Sequence, residues 1–211
     1  MIKAIIFDMD GVLIEAKEWH YEALNRALGL FGYEISRAAH LTTYDGLPTK
    51  KKLELLSLEE GLPMQLHGVI NELKQQYTME MVHTTCRPRF NHEFALSRLK
   101  AEGYKLAVAS NSISDTISVM LQKAHLYNYF DVILSNQDVT HSKPHPEIYQ
   151  EAIRRLNLTP EQCLVVEDNE HGIQAAKSAQ AAVLVVKEVS DVTYDNIKKY
   201  IEEIERRSRA A

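Results

Sequence analysis

Short apolar runs recur along the chain at intervals that predict a β-sheet. They cover residues 4–7, 106–109, 132–134, 164–166 and 182–186. Most of these runs lack alternating polar positions, which is typical of strands that are buried on both faces of a parallel sheet. We therefore predict five parallel strands.

From about residue 91 onward, helical periodicity alternates with these runs. One apolar stripe with helical spacing consists of Ile148, Tyr149, Ala152, Ile153 and Leu156. Pro146 and Glu147 suit the first turn of this helix, and Ser114 or Asp115 is expected to cap the helix after the second strand. Alternating strands and helices predict an α/β class with a doubly wound parallel-sheet core of the Rossmann-like type.

The stretch 17–83 departs from this alternation and has helical periodicity in two segments. Trp19, Ala23, Leu24, Ala27 and Leu28 share one helical face, and Leu66, Ile70, Leu73 and Tyr77 share another. We predict a helical cap domain over residues 17–83, inserted into a core domain of residues 1–16 and 84–211. Because the insertion leaves the carboxyl end of the first strand, where open α/β sheets bind ligands, we expect it to cover the active site.

Composition and charge narrow the functional classes. The chain has 211 residues, of which 45% are hydrophobic and 25% charged, the balance of an ordinary globular protein. The net charge is −5 and basic residues form no large block, so nucleic acid is excluded as the main partner. Because the chain has no apolar run of membrane-spanning length and no signal region before Asp8, we expect a cytoplasmic protein without membrane contact, and a monomer. Cys86 and Cys163 are too few for a disulfide framework or a zinc site, and we interpret both as structural thiols.

Two carboxylates follow the first predicted strand, Asp8 and Asp10. Asp8 is a candidate nucleophile and Asp10 a candidate proton donor and acceptor, while Gly11 permits a sharp turn. The pattern Asp-x-Asp-Gly also occurs in calcium loops. Because no acidic alternation continues to a glutamate at the twelfth position, an EF-hand is excluded.

Other predicted strands also end in polar residues. Ser110, Asn111 and Ser112 offer hydroxyl, amide and backbone donors at a strand-to-helix turn, which suits an anion. Lys143 adds a positive charge. Glu167 and Asp168 form a second acidic pair, and four carboxylates at one sheet edge require a hard cation such as Mg²⁺. Together, these groups predict a phosphoryl-transfer site.

The same motifs carry a resemblance to a known family. They are Asp8-Met9-Asp10-Gly11-Val12, Ser110-Asn111-Ser112, Lys143-Pro144 and Glu167-Asp168-Asn169. In this order they resemble the four motifs of the haloacid dehalogenase-like superfamily, most closely its β-phosphoglucomutase-like phosphatases and mutases with a small helical cap. The resemblance implies that Asp8 attacks phosphorus and forms an aspartyl phosphate, that Asp10 protonates the leaving oxygen and then activates water, and that Ser110 with Lys143 holds the phosphoryl oxygens.

The resemblance also implies a metal site and candidate substrate contacts. Magnesium would bind Asp8, the Asp10 carbonyl and Asp168, with Glu167 beside it. Asn111 at the donor turn and, in the cap, His20 and Lys50 are candidate substrate-binding residues; His20 has counterparts in some family members. Packing or a surface position is the alternative for His20, and a solvated face is the alternative for the run Lys50–Lys52.

We therefore predict a magnesium-dependent phosphatase that hydrolyses a small phosphorylated metabolite, such as a sugar phosphate. A phosphomutase is the main alternative, but the mutases of the family carry an arginine where this chain has Thr49. Haloacid dehalogenation is disfavoured, because the family's dehalogenases lack the second aspartate that Asp10 supplies. A receiver-like module or a non-catalytic phospho-ligand binding protein is a remote alternative, and the long helical stretch argues against a receiver.

Overall fold

The computed structural model describes residues 1–44 and 46–210, with side chains as far as Arg207. The chain divides into two compact units. One unit combines Met1–Glu15 with Arg87–Ala211, and the other is Ala16–Cys86. We refer to them below as the α/β unit and the helical unit.

The α/β unit contains a five-stranded parallel sheet. Its strands are β1 Ala4–Phe7, β2 Lys105–Ala109, β3 Val132–Leu134, β4 Cys163–Glu167 and β5 Ala182–Val185. The spatial order is β3-β2-β1-β4-β5, so the first strand lies in the centre. Phe7 of β1 is opposite Val108 on one side and Val166 on the other. The predicted α/β fold with a doubly wound parallel sheet is confirmed.

Helices occupy most of the remaining chain. The α-helices are α1 Lys17–Gly29, α2 Arg37–Ala39, α3 Thr49–Glu59, α4 His67–Thr85, α5 Phe90–Ala101, α6 Ser114–Lys123, α7 Glu147–Arg155, α8 Glu170–Ser178 and α9 Tyr194–Ala210. A π-helical turn covers His40–Tyr44, and 3₁₀ turns cover Met64–Leu66, Tyr127–Tyr129, Asn136–Asp138, Pro160–Gln162 and Val189–Asp191. Over the described residues, no helix is both long and apolar enough to cross a membrane.

The three central strands are buried because helices cover the sheet. Ala4 and Ile6 of β1 belong to a cluster with Tyr149 of α7 and Ala176 of α8. The alternate residues of β1, including Phe7, are also fully buried. Since successive side chains of a strand point to opposite faces, both faces of the sheet are covered at its centre. This burial explains the continuous apolar runs.

The start of α6 differs from the sequence prediction. Ile113 is the N-cap residue and makes no side-chain capping hydrogen bond. The N–H of Ser114 instead donates to Gln137 Oε1 at 2.9 Å. The expected cap by Ser114 or Asp115 is therefore wrong, because a side chain distant in sequence satisfies this helix terminus.

The helical unit has its own apolar core. Helix α1 packs against α4, and buried residues from α1, α3 and α4 form one cluster. Its members include Leu24, Leu28, Leu53, Leu56 and Ile70. The predicted helical periodicity of this stretch thus corresponds to a packed helical bundle with its own core.

Candidate active site

The polar motifs of the α/β unit meet at the carboxyl edge of the sheet. Asp8 follows β1, Ser110 follows β2, and Glu167 ends β4. The N–H of Asp8 donates to the Val166 carbonyl at 3.0 Å, and that of Ser110 donates to the Leu134 carbonyl at 3.1 Å. These hydrogen bonds extend the strand pairing into the polar segments, so the backbone under the candidate nucleophile is fixed.

Lys143 connects the motifs. Its Nζ donates to Asp8 Oδ1 at 2.6 Å and to Glu167 Oε1 at 2.7 Å, and its side chain is only 4% exposed. The main-chain N–H of Lys143 donates to Asn111 Oδ1 at 3.2 Å. The amide oxygen of Asn111 therefore contacts the loop that carries the lysine. This contact does not use the amide N–H groups of Asn111.

Burial and charge shift the pKa values of these three buried groups in different directions. Burial raises the pKa of Asp8 well above its ordinary value, although Lys143 opposes this shift. Burial alone would lower the pKa of Lys143, but the Asp8 and Glu167 carboxylates outweigh it and raise that pKa. For Glu167, burial would raise the pKa, yet the charge and hydrogen bond of Lys143 hold it below its ordinary value. A bound cation would favour the ionised form of Asp8.

A tight loop positions Asp10. Gly11 has a φ of 92°, a left-handed conformation that glycine adopts without a steric cost, and its N–H donates to the Ile14 carbonyl at 2.7 Å. Asp10 Oδ2 accepts a hydrogen bond from Ser112 Oγ at 2.9 Å. The second carboxylate after β1 is thus held against the segment after β2.

The Ser110 side chain is buried at the same edge. Ser110 is 1% exposed, and its Oγ accepts a hydrogen bond from the Ser112 N–H at 3.1 Å. Because this contact uses a lone pair of the hydroxyl, the Ser110 proton can still be donated to an anionic oxygen.

Glu167 accepts four hydrogen bonds. Besides Lys143, its Oε1 accepts from the Tyr149 hydroxyl at 2.7 Å. Its Oε2 accepts from the backbone N–H groups of Asp168 at 3.0 Å and Asn169 at 3.2 Å. These donors keep the carboxylate ionised and fix its orientation, so Glu167 is well placed to hold Lys143 in position.

Two residues of this network were not found from the sequence. Tyr149 was included only in an apolar stripe, and Gly172 was given no role. A Cβ atom at Gly172 would lie 1.7 Å from Glu167 Oε1, so only glycine leaves space for this carboxylate. No local signal marks either residue, because Lys143 lies in the turn before α7 and Tyr149 occupies a position of an apolar stripe.

The carboxylates at this edge fit a hard divalent cation. Asp8, Glu167 and Asp168 each offer an oxygen, and these oxygens lie within 4.8 Å of one another. Carboxylate oxygens are the ligands that Mg²⁺ prefers, and Lys143 can neutralise only one of these charges. Because Glu167 already accepts four hydrogen bonds, Asp8 and Asp168 are the better suited ligands.

The other predicted contacts lie in the helical unit. His20 is in α1, where its Nδ1 is 3.1 Å from Lys74 Nζ. Lys50 is exposed in the first turn of α3. The alternative interpretation of the run Lys50–Lys52 as a solvated face is wrong for Lys52, which is 8% exposed and lies on the same side of α3 as the buried Leu56.

Comparisons with known proteins show which family and which proteins this chain resembles. A model of the haloacid dehalogenase-like hydrolase family matches residues 5–186. A phosphorylated carbohydrates phosphatase of Thermotoga maritima is 32% identical over 182 residues, covering 84% of this chain and 82% of that protein. A pyrophosphatase PpaX of Bacillus cereus is 30% identical over 195 residues, covering 84% and 80%. The crystal structure of a β-phosphoglucomutase from Clostridium difficile has the same fold, with a TM-score of 0.85, 24% identity and full coverage of both chains.

Proposed function

This chain belongs to the haloacid dehalogenase-like hydrolase family, and its relatives make it a phosphatase; we propose that it hydrolyses a small phosphorylated metabolite with magnesium, through an aspartyl phosphate on Asp8. The observation that carries this proposal is the buried contact of Lys143 with Asp8 and Glu167 at the carboxyl edge of the sheet. The proposed nucleophile, a fixed cation and the proposed metal ligands lie together there. A sugar phosphate is the substrate class we favour, because one relative is named a phosphatase of phosphorylated carbohydrates.

Asp8 is the proposed nucleophile. One of its oxygens attacks phosphorus, the bond between phosphorus and the leaving oxygen breaks, and an acyl phosphate forms on the carboxylate. The hydrogen bond from Lys143 Nζ to Oδ1 fixes the side chain and favours its ionised form. This contact opposes the burial that raises the Asp8 pKa.

Asp10 is the proposed proton carrier. Its carboxyl group gives a proton to the leaving oxygen in the first step. In the second step it takes a proton from the water that attacks the phosphoryl group, which frees Asp8 and releases inorganic phosphate. Support comes from the loop at Gly11 and the Ser112 hydrogen bond, which fix Asp10 beside the end of β2.

Ser110 and Lys143 are the proposed contacts of the phosphoryl oxygens, with Asn111 as a further donor. A buried hydroxyl and a buried ammonium stabilise the negative charge that develops during transfer, and both are held in place before substrate binds. The burial of Ser110 and the hydrogen bonds of Lys143 support this assignment.

Magnesium is the proposed cofactor. When bound, it would neutralise phosphoryl oxygens and orient them towards the nucleophile. Asp8, Asp168 and the Asp10 carbonyl would hold it, with Glu167 beside it. The clustered carboxylate oxygens support this ligand set.

The helical unit is the proposed cap, and its His20 and Lys50 are proposed substrate contacts. The Nδ1 of His20 lies 3.1 Å from Lys74 Nζ, so a positively charged side chain is next to this histidine in the helical unit. A cap that closes over the carboxyl edge once the substrate is bound would shield the phosphoryl group from bulk water.

The test is a screen for phosphate release from phosphorylated sugars, nucleotides and small acids with Mg²⁺. We expect turnover of at least one sugar phosphate, and we expect Asp8→Asn to abolish it because an amide cannot form the acyl phosphate. Asp115→Asn, an exposed change in the first turn of α6, is the matched control and should keep full activity. Wild-type activity in Asp8→Asn would refute the proposed nucleophile, and lack of any turnover would favour a binding role.

A phosphomutase is the competing hypothesis, since it would use the same residues with a different acceptor. A mutase must protect its aspartyl phosphate from water and anchor a second phosphate with a cap cation. Thr49, at the start of α3, lacks the charge and the bidentate donors of an arginine. With β-glucose 1-phosphate, magnesium and a trace of the bisphosphate, we therefore expect free phosphate. Rapid glucose 6-phosphate formation without phosphate release would contradict the phosphatase assignment.

A further inference from the structure

A second group of side chains with metal-ligating atoms spans the loop that carries Lys143 and the start of α7. It consists of His141, His145 and Glu147, and we refer to it as the histidine cluster. One ligand atom of each residue lies within 4.8 Å of the others. Both histidine side chains are exposed, at 63% and 50%, so an ion can reach the cluster from solvent.

The spacing of these atoms suits a small transition-metal ion. His141 Nδ1 is 2.9 Å from Glu147 Oε2, and His145 Nδ1 is 3.8 Å from the same oxygen. In a tetrahedral site with bonds of about 2.0–2.1 Å, neighbouring ligand atoms are separated by roughly 3.3 Å. The observed distances lie on either side of this value, and the 2.9 Å contact between His141 and Glu147 is a hydrogen bond that a bound ion would replace.

The backbone already positions the cluster. Glu147 Oε1 accepts the Thr140 N–H at 2.8 Å, and Oε2 accepts the His141 N–H at 2.9 Å. The Glu147 N–H donates to His145 Nδ1 at 3.3 Å, so an ion bound to this nitrogen would replace that hydrogen bond. The two imidazole rings lie 4.6 Å apart. The backbone contacts of Glu147 therefore hold this ligand in place before an ion binds.

The histidine cluster differs in chemistry from the carboxylate site of Asp8, Glu167 and Asp168. Imidazole nitrogens favour zinc and related transition ions, whereas an all-carboxylate set favours magnesium. Lys143 lies between the two histidines in sequence, but its ammonium is buried against Asp8 and Glu167. Its charge therefore does not face the exposed imidazoles and does not oppose a cation there.

We propose that His141, His145 and Glu147 form a binding site for a divalent transition-metal ion of the zinc type, separate from the magnesium site. Three protein ligands leave the fourth coordination position to water. The ion would connect the loop on both sides of Lys143 to the first turn of α7. Nothing in this proposal depends on the phosphatase assignment.

The test is calorimetric titration of the full chain with Zn²⁺ in excess Mg²⁺, so that magnesium occupies the carboxylate site. We expect one zinc site in the wild type, and His141→Ala and His145→Ala should each weaken it by about 10- to 100-fold or more, the loss seen even for outer-shell partners. His83→Ala removes an exposed histidine of the helical unit and is the matched control, with unchanged binding. Asp168→Ala, which removes a carboxylate of the other site, should also retain zinc binding.

Three results would each overturn the proposal. The first is absence of zinc binding in the wild type, the second is equal zinc binding in the wild type and His141→Ala, and the third is loss of zinc binding in Asp168→Ala alone. Thermal unfolding followed by circular dichroism provides a second readout. Zinc should raise the melting temperature of the wild type and of His83→Ala but not that of His141→Ala, while the three proteins without zinc should melt alike because the histidines are exposed.

Discussion

Gly172 determines whether Glu167 can hold Lys143. In Gly172→Ala, the new Cβ would lie 1.7 Å from Glu167 Oε1, 2.1 Å from Cδ and 2.5 Å from Oε2. All three distances are below the closest approach of real Cβ atoms, which is 3.0 Å, so the carboxylate must move by more than about 1 Å. The hydrogen bonds from Lys143 and Tyr149 to Oε1, each 2.7 Å, cannot survive that movement.

The expected loss of stability follows from these contacts. Breaking a buried ion pair so that a charge is left uncompensated costs about 3–5 kcal/mol. Alanine favours a helix over glycine by about 1 kcal/mol, which offsets only part of that cost. We therefore expect the free energy of unfolding to fall by about 2–4 kcal/mol, a large fraction of the 5–15 kcal/mol that is typical of a domain.

Urea unfolding followed by circular dichroism measures this loss. Gly68→Ala in α4 is the matched control, because a Cβ there meets nothing within 4 Å. It should leave stability unchanged or raise it by up to about 1 kcal/mol. A free energy of unfolding of Gly172→Ala within about 0.5 kcal/mol of the wild-type value, the range of an ordinary surface change, would refute this reasoning. It would mean that the Glu167 carboxylate can move to another position without loss of stability. Phosphate release should fall together with stability, since Lys143 loses a partner.

Three further predictions concern single carboxylates. Asp10→Asn should unfold like the wild type but release phosphate about 10²–10⁴-fold more slowly, because a general acid and base is lost; near-normal turnover would exclude Asp10 as the proton carrier. Asp168→Ala should need more Mg²⁺ for half-maximal activity, since one anionic ligand is removed, and an unchanged magnesium titration would move the metal elsewhere. Hydrogen bonds from Arg154 and Arg155 lower the pKa of Glu151 from 4.5 to about 2, so its contribution to stability is present above pH 4.5 and is lost as the pH falls towards 2. Glu151→Gln should therefore be less stable than the wild type at neutral pH but not at pH 2, and urea unfolding at both pH values checks this.

The strands of the sheet and the polar residues that follow them can be predicted from the sequence, because their patterns are local. Strands buried on both faces appear as continuous apolar runs, and the polar residues Asp8, Ser110 and Glu167 follow such runs directly. Because the carboxyl ends of parallel strands lie at one edge of the sheet, the prediction of the sheet also predicts that these three polar residues lie close together. The contacts of Lys143 with Asp8 and Glu167 were beyond a spacing argument, because the lysine lies in the turn before α7 and not at the end of a strand.

The remaining features depend on packing between distant segments. Tyr149 occupies an apolar stripe position, and nothing in that pattern shows that its hydroxyl reaches Glu167. The N–H of Ser114 is satisfied by Gln137 from a different loop, so the capping preference of local side chains was not decisive. Lys52 is buried although it stands in a run of three lysines, because one helical face of α3 packs inward.

The charge balance of the site is itself an argument for a metal. Burial raises the pKa of Asp8, and the carboxylate of Glu167 raises it further, while Lys143 alone opposes them. Lys143 is shared between these two acids, and the hydrogen-bond donors around Glu167 keep that acid ionised. Asp8 must nevertheless be ionised to attack phosphorus. A divalent cation beside Asp8 and Asp168 would meet this requirement, and the same charge would then stabilise the phosphoryl oxygens. The network that fixes Lys143 would thus leave the final activation of the proposed nucleophile, Asp8, to the proposed metal.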